Sequence, residues 1–183
     1  MTILYVIIAL VVIIGGWFAA TYNKLIQLRN TVKDQLAQIE TVLKRRFDLI
    51  PNLVETVKGY TKHEKSTLED IVNARNSYSS AKTTDEGLKA DGELVQGLSK
   101  LFALAEAYPD LKANENYINL QNELTETEDK IQYARQFYND TVLKYNNAIQ
   151  VFPAVLIAGM LGFKEEKFFE ATGEEKENVE VKF

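Results

Sequence analysis

The first 23 positions of this chain contain no charged residue, and this stretch constrains the fold more than any other feature. Residues 3–22 form an apolar run of 20 residues, the length at which a helix spans a bilayer core of about 30 Å. Eleven of these residues are Ile, Leu, Val or Phe, and each favours insertion by about 0.3–0.6 kcal/mol. All 21 basic and 26 acidic residues follow the run, so the sequence predicts a transmembrane helix and then a water-soluble part.

A cleaved signal peptide is the alternative to an anchor, but the run lacks two of its features. No Lys or Arg precedes it, and Trp17 and Phe18 stand where a cleavage site needs small residues. The sequence therefore favours an uncleaved signal anchor over residues 1–23. Lys24, Arg29 and Lys33 follow, so the positive-inside rule predicts a single-pass protein of the plasma (inner) membrane, with its N-terminus outside and its helical domain cytoplasmic.

The composition argues against several classes of function. A formal net charge of -5 argues against nucleic-acid binding, which needs a basic surface. The sequence has no cysteine, hence no disulfide and no Cys-ligated zinc, and its one histidine cannot form a His–His metal pair. His63-Glu64 begins like a zinc-protease helix, but Thr67 stands where the second histidine belongs. We therefore predict no catalytic residue, no cofactor and no metal site.

After the apolar run, hydrophobic residues recur every three or four positions, a heptad pattern typical of a coiled-coil helix. This stripe comprises Tyr22, Leu25, Arg29, Val32, Leu36, Ile39, Leu43, Arg46, Ile50, Leu53, Val57 and Tyr60. The spacing predicts that the membrane helix continues into the soluble part. Pro51 lacks a backbone N–H, so we expect a kink near residues 47–51, with a complete break as the alternative.

Three further helices are predicted, over residues 63–81, 92–107 and 114–150. Thr83, Thr84 and Gly87 indicate a connection between the first two, Pro109 ends the second, and Asn114 is a plausible N-cap of the last. The expected inward positions are Leu68, Ile71, Val72, Arg75, Tyr78, Leu94, Leu98, Leu101, Phe102, Ala105, Tyr108, Tyr117, Leu120, Leu124, Thr127 or Glu128, Ile131, Tyr138, Val142, Tyr145 and Ile149. Four amphipathic helices with short connections predict an all-α fold, in which an N-terminal transmembrane helix leads into an up-and-down four-helix bundle over residues 24–150.

Residues 145–163 form a second stretch without charge. A second membrane span is one interpretation, but Gln150 and Pro153 leave an apolar run of only about 13 residues, short of a span. The alternatives are that residues 151–169 cap the bundle or touch the membrane surface. We expect residues 170–183 to form a flexible acidic tail.

Two arginines interrupt the apolar stripe. Because an unpaired buried charge is costly, Arg29 and Arg46 must either reach the edge of the bundle or form ion pairs. In an antiparallel arrangement residue 58 faces about residue 114, which places residue 46 opposite about residue 126. We therefore predict Glu128 as the partner of Arg46.

Tyrosine–asparagine pairs recur at an interval of seven residues, at Tyr138-Asn139 and Tyr145-Asn146, with a third pair at Tyr22-Asn23. They are either core tyrosines whose hydroxyls bond across helices or a polar seam that binds a partner helix. The structural polar candidates are Arg29, Arg46, Glu128, Arg75, Tyr138 and Tyr145.

Three segments resemble the signatures of the LemA family. The first runs from Arg45 to Tyr60 and continues at His63-Glu64, the second covers residues 108–114 with Leu120-Gln121, and the third comprises both Tyr-Asn pairs, Pro153 and Gly162-Phe163. The resemblance spans about residues 1–170 and leaves the acidic tail out. It implies a prokaryotic membrane protein with one span, a four-helix bundle, no established biochemical activity and no catalytic residues. It also suggests an accessory role beside membrane metalloproteases or other envelope proteins.

Three functions remain open. The first is a membrane-anchored scaffold or adaptor of the cell envelope, accessory to membrane or envelope quality control, whose partners are membrane lipid, other envelope proteins and copies of itself. The second is an enzyme or enzyme subunit with a pocket lined by Arg46, Asp48, Glu55 and Tyr60. The third is membrane remodelling, in which residues 151–163 insert into the interface.

Overall fold

The computed structural model describes residues 1–61, 64–81 and 84–169, which divide into two compact units. The anchor unit comprises residues 1–40 and 132–169, and the bundle unit comprises residues 41–131. The described residues form helices and no strand. The helices are α1 (Thr2–Lys58), α2 (Lys65–Ser80), α3 (Thr84–Ala105), α4 (Pro109–Lys112), α5 (Glu115–Gln150) and α6 (Ala154–Met160). His63 and the predicted acidic tail lie outside the described residues.

Helix α1 is continuous from Thr2 to Lys58, with Pro51 inside it, so the alternative of a complete break is wrong. It is the one helix in the described part of the chain that is long and apolar enough to cross a membrane. Its side chains up to residue 20 are all exposed within the unit. The all-helical fold with a long apolar N-terminal helix is confirmed.

The predicted connection before the third helix is wrong in part, because α3 already begins at Thr84 and includes Gly87. One glycine costs a helix about 1 kcal/mol, which the packing of the following turns outweighs. The longer helix also adds Ala90 and Asp91 to the buried face. At the start of α5, the N–H of Tyr117 donates to Asn114 Oδ1 at 3.0 Å, so the predicted N-cap is confirmed.

The bundle unit has one apolar core, to which α1, α2, α3, α4 and α5 contribute. Its buried members are Ile50, Leu53, Val54, Val57, Leu68, Ile71, Ala74, Leu94, Leu98, Leu101, Ala105, Leu111, Tyr117 and Leu124. Contacts show that α1 and α5 are antiparallel here. Asn114 Nδ2 donates to the hydroxyl of Tyr60, and fourteen residues away along each helix Arg46 contacts Glu128. The antiparallel register of α1 and α5 therefore agrees with the predicted one.

The anchor unit has a smaller core, built from α1, α5 and α6. Its buried apolar side chains are Leu25, Val32, Ile39, Tyr138, Val142, Tyr145, Ile149, Ile157 and Ala158. Residues 163–169, here called the strap, are non-helical and lie against α5. Four residues of the predicted stripes are exposed, Tyr22 and Leu36 in this unit and Tyr60 and Val72 in the bundle unit. A helix drifts from a strict heptad by about 20° per repeat, which moves such positions to the edge of the stripe.

Candidate functional site

Arg46 is the centre of a charge cluster inside the bundle unit. The residue is 1% exposed, and its side chain contacts carboxylates from two other helices. Nη1 lies 3.2 Å from both carboxylate oxygens of Glu128 on α5, and Nη2 bonds Asp91 Oδ1 on α3. The pairing with Glu128, predicted from the antiparallel register, is present, and the alternative that Arg46 extends to the edge of the bundle is wrong.

The electrostatics of the cluster follow from burial and from these two carboxylates. Burial alone would lower the pKa of Arg46, but the charges of Asp91 and Glu128 outweigh it and raise the pKa above its ordinary value. The guanidinium therefore keeps its charge and acts as an ion-pair partner. It has no capacity to accept a proton in a reaction, because a charged guanidinium only donates hydrogen bonds.

Asp91 is the residue of this cluster that the sequence analysis missed. It is 4% exposed and lies three residues before Leu94 and seven before Leu98, on the buried stripe of α3. Its spacing of three and seven residues from Leu94 and Leu98 is the signal that could have placed Asp91 on the stripe. It was missed because the helix was predicted to begin at Gly92, one residue too late for Asp91 to join the stripe.

Arg75 compensates for the proline inside α1. Because Pro51 has no N–H, the carbonyl of Phe47, four residues earlier, lacks its helical donor. Arg75 Nε donates to that carbonyl at 3.2 Å, and the guanidinium lies 3.7 Å from the centre of the Phe47 ring. This sequence candidate therefore stabilises the proline-containing turn of the bundle unit, which explains how α1 continues through Pro51.

The repeated Tyr-Asn pairs of the anchor unit bind the backbone of the strap. The hydroxyls of Tyr138 and Tyr145 donate to the carbonyls of Lys167 and Lys164, each at 2.9 Å. Burial, and then the carboxylate of Glu166, raise the pKa of both tyrosines above its ordinary value, so the hydroxyls stay protonated donors.

Each asparagine of these pairs makes two hydrogen bonds to one strap residue. Asn146 Nδ2 donates to the carbonyl of Glu166, whose N–H donates back to Asn146 Oδ1, both at 2.9 Å. Asn139 bonds the backbone of Phe169 in the same way, at 3.0 and 2.8 Å. The side-chain amide thus bonds the strap backbone as a neighbouring β-strand would. The two asparagines are seven residues apart on α5, and the strap residues that they bind are three residues apart.

Aromatic rings at both ends of the strap pack against one tyrosine and one arginine each. The Phe163 ring lies edge-on to Tyr22, with centroids 6.2 Å apart, and 5.2 Å from the guanidinium carbon of Arg29. At the other end, Phe169 contacts Tyr138 at 6.4 Å and Arg135 at 4.8 Å. Arg29 therefore stacks on a ring from the half-buried edge of its stripe.

These contacts revise both interpretations of the Tyr-Asn pairs. The tyrosine hydroxyls bond backbone carbonyls of the strap, not groups on a facing helix, and the asparagines bind the same segment. The tyrosine and asparagine side chains do form a polar surface, but the segment that it binds is the strap, an extended part of the same chain. Tyr22 takes part through its ring, on α1.

Residues 151–161, here called the apolar segment, join α5 to the strap and include α6. On one side of α6, Ile157 and Ala158 are buried in the anchor unit. The exposed apolar side chains of the segment are Val151, Phe152, Val155, Leu156, Met160 and Leu161, with Phe152 at 80% and Met160 at 78%. The segment therefore caps its unit with one face and leaves the other bare.

The groups required by the enzymatic alternative are not brought together. Glu55 lines a groove of about 450 Å³ with Lys58, Lys65 and Glu69, but neither Arg46 nor Tyr60 lines it. Arg46 is buried among carboxylates, while Asp48 is exposed. Among the described residues there is also no group of three or more His, Cys, Asp and Glu side chains that could hold a metal ion.

Comparison with known proteins gives consistent matches. The family model described as LemA family matches residues 35–183, so the match includes the acidic tail that the resemblance left out. Protein LemA of Metamycoplasma hominis is 27% identical over 162 residues, covering 87% of this chain and 73% of that protein. Magnetosome protein MamQ of Magnetospirillum gryphiswaldense is 24% identical over 174 residues, covering 81% of this chain and 64% of that protein. Magnetosome protein MamQ 2 of Paramagnetospirillum magneticum is 25% identical over 175 residues, with the same coverage of 81% and 64%.

Proposed function

This chain belongs to the LemA family, and from that premise we propose that it is a membrane-anchored scaffold or adaptor of the cell envelope rather than an enzyme. One observation carries the proposal. The polar side chains that suggested chemistry are engaged within their own unit, Arg46 by two carboxylates and the Tyr-Asn pairs by the strap. Side chains that are engaged in this way hold the helices in position. Binding to other molecules then falls to the outer faces of the units.

One such outer face lies on α5 in the anchor unit. Tyr133 and Phe137, four residues apart and therefore on one side of the helix, are 64% and 62% exposed. Aromatic side chains are enriched where proteins bind each other. We assign this face to copies of the chain or to other envelope proteins, a membrane metalloprotease among the candidates, in an accessory role in membrane or envelope quality control.

Affinity purification of the full chain from native membranes tests this role, with particle size measured in nanodiscs. We expect co-purified envelope proteins or a particle larger than a monomer, and a loss of both in the double variant Tyr133→Ser/Phe137→Ser. The matched control is Gln132→Ser/Gln136→Ser, which changes exposed neighbours with the same spacing on the same helix. A monomer without bound protein would contradict the proposal.

The proposal includes an orientation, with the N-terminus outside the plasma (inner) membrane and the helical units in the cytoplasm. The support is the positive charge of Lys24, Arg29 and Lys33 directly after the apolar run. Because the sequence has no cysteine, single cysteines report topology without a background. On intact cells, an impermeant maleimide should label Thr2→Cys, and it should label Lys58→Cys only after permeabilisation. The reverse pattern would place the units outside.

A further inference from the structure

Among the described residues, the apolar segment is the most concentrated exposed hydrophobic surface outside the apolar run of α1. Single exposed apolar residues are ordinary on protein surfaces, but a contiguous cluster marks an interaction site. Here six large apolar side chains are exposed within eleven residues, and Phe152 and Met160 are nearly free of protein contacts. The opposite face of α6 is occupied by its own core, so the exposed face is not a remnant of poor packing.

The position of the segment is fixed relative to the end of the membrane helix. Phe163, two residues beyond the segment, packs on Tyr22, the last residue of the 20-residue apolar run. That run measures about 30 Å as a helix, which equals the thickness of the bilayer core. When the run spans the core, Tyr22 lies at the membrane–water boundary, and Phe163 lies there with it. The strap holds this arrangement through the bond from Tyr145 to Lys164.

From this placement we propose that residues 151–161 insert into the lipid interface beside the point where α1 leaves the membrane. The seven-residue α6 is too short to span the bilayer, and no residue of the segment is charged. Interfacial segments of this kind bury their apolar face about 5–10 Å into the boundary between headgroups and acyl chains. Phe152, Leu156 and Met160 are the side chains that enter.

The surrounding charges favour lipid as the occupant of this face. Lys24 and Arg29 follow Tyr22 on α1, and Lys144 and Lys164 flank the segment at the end of α5 and the start of the strap. Glu165 and Glu166 are the acids beside them. Glu165 accepts a hydrogen bond from Gln150 at 2.8 Å, and the carboxylate of Glu166 lies near Tyr145. An apolar face bordered mainly by lysine and arginine matches an interface of acyl chains below anionic headgroups. The inference is independent of the scaffold role, because it concerns contact with lipid and not with protein.

Fluorescence of a single tryptophan tests the insertion in the full chain. Trp17 is the one tryptophan of the sequence, so the background variant is Trp17→Phe and the reporter is Phe152→Trp. The protein is placed in nanodiscs of phosphatidylcholine and phosphatidylglycerol, with bromine on the acyl chains either near the carbonyl end or near the terminal methyl group. The matched control is Gln136→Trp in the same background, an exposed position outside the Tyr133/Phe137 face and about 20 Å before the end of α5.

We expect the tryptophan at position 152 to emit at shorter wavelength than that at 136. It should lose fluorescence most strongly with bromine near the carbonyl end, and aqueous acrylamide should quench it less than the control. Equal behaviour of the two reporters would overturn the proposal. Protection from acrylamide without quenching by brominated lipid would also overturn it, because a protein surface would then cover the segment. Stronger quenching by bromine near the terminal methyl group would indicate a second span, and so would contradict an interfacial position.

Discussion

The bundle unit and the anchor unit both place polar side chains on inward-facing stripes, but they satisfy them by different means. The bundle unit buries a full charge and balances it with carboxylates from two other helices, at Arg46, Asp91 and Glu128. The anchor unit uses neutral groups, Tyr145 and Asn146 among them, which bond the backbone of the strap. The first arrangement depends on three side chains at once, whereas the second is a series of separate bonds.

This difference predicts different responses to substitution. Removing one member of a buried ion cluster leaves the others charged and unpaired, so the loss exceeds the worth of the contact itself. Removing one bond of a neutral ladder exposes a single backbone group, which water can reach at the surface of the unit. The bundle unit should therefore fail as a whole, and the anchor unit should loosen locally.

The largest effect is expected for Arg46→Met. Its free energy of unfolding should fall by about 3–5 kcal/mol, because the buried carboxylate of Asp91 loses the guanidinium that balances its charge. Denaturant titration of the full chain in nanodiscs, followed by hydrogen exchange in α2 and α3, measures the loss. Arg45→Met is the control, since Arg45 is exposed and lies 4.0 Å from Glu123, and it should change stability by less than about 0.5 kcal/mol. Equal losses at the two positions would mean that burial of the charge adds nothing to the contribution of Arg46.

A packing defect in the bundle unit should rank second. A Cβ at Gly97 would lie 2.8 Å from Cγ1 of Ile71, which is itself fully buried between α2 and α3. Gly97→Ala should therefore destabilise the unit by about 1–3 kcal/mol despite its better helix propensity. Gly87→Ala, in the same helix but with its nearest neighbours at 3.9 Å or more, should instead gain up to about 1 kcal/mol in thermal unfolding. A stabilised Gly97→Ala would show that the two helices separate at no cost.

The corresponding change in the anchor unit is Asn146→Ala. It removes both bonds to Glu166 and should cost about 1–2 kcal/mol, confined to the strap. Hydrogen exchange at the Glu166 amide should accelerate by about tenfold for each 1.4 kcal/mol lost, while α2 and α3 keep their protection. Asn147→Ala, at the exposed next position, is the control and should leave exchange unchanged. A loss of protection in both units would contradict the separation drawn above.

The smallest effect concerns the turn around Pro51. Arg75→Met should cost about 0.5–1.5 kcal/mol, because the Phe47 carbonyl loses its donor. In a Pro51→Ala background the cost should shrink, since position 51 regains an N–H for that carbonyl. Urea unfolding of the four variants gives the coupling energy directly. Strictly additive effects would mean that Arg75 acts through its stacking on the Phe47 ring alone.

The sequence was sufficient where structure follows a periodic pattern. The spacing of three and four predicted the buried stripes, and the end of α1 placed opposite the start of α5 set the register that pairs Arg46 with Glu128. The sequence was insufficient for the strap, because an extended segment has no helical period and its acceptors are backbone carbonyls, which every residue carries. The role of Asn146 was equally hidden, since an amide that bonds backbone and one that faces solvent look alike in a sequence.

The pairing of α5 with the strap limits how this chain can change in length. Seven helical residues advance about 10.5 Å, and three extended residues advance about 10 Å. The hydrogen bonds between α5 and the strap therefore stay in register only when seven helix residues are matched by three strap residues. One residue inserted into α5 between Tyr138 and Tyr145 would turn the later pair by about 100° and away from the strap. Insertions and deletions are therefore tolerated here only as matched blocks, seven residues in the helix with three in the strap. Among related chains of different lengths, this region should vary in those steps or not at all.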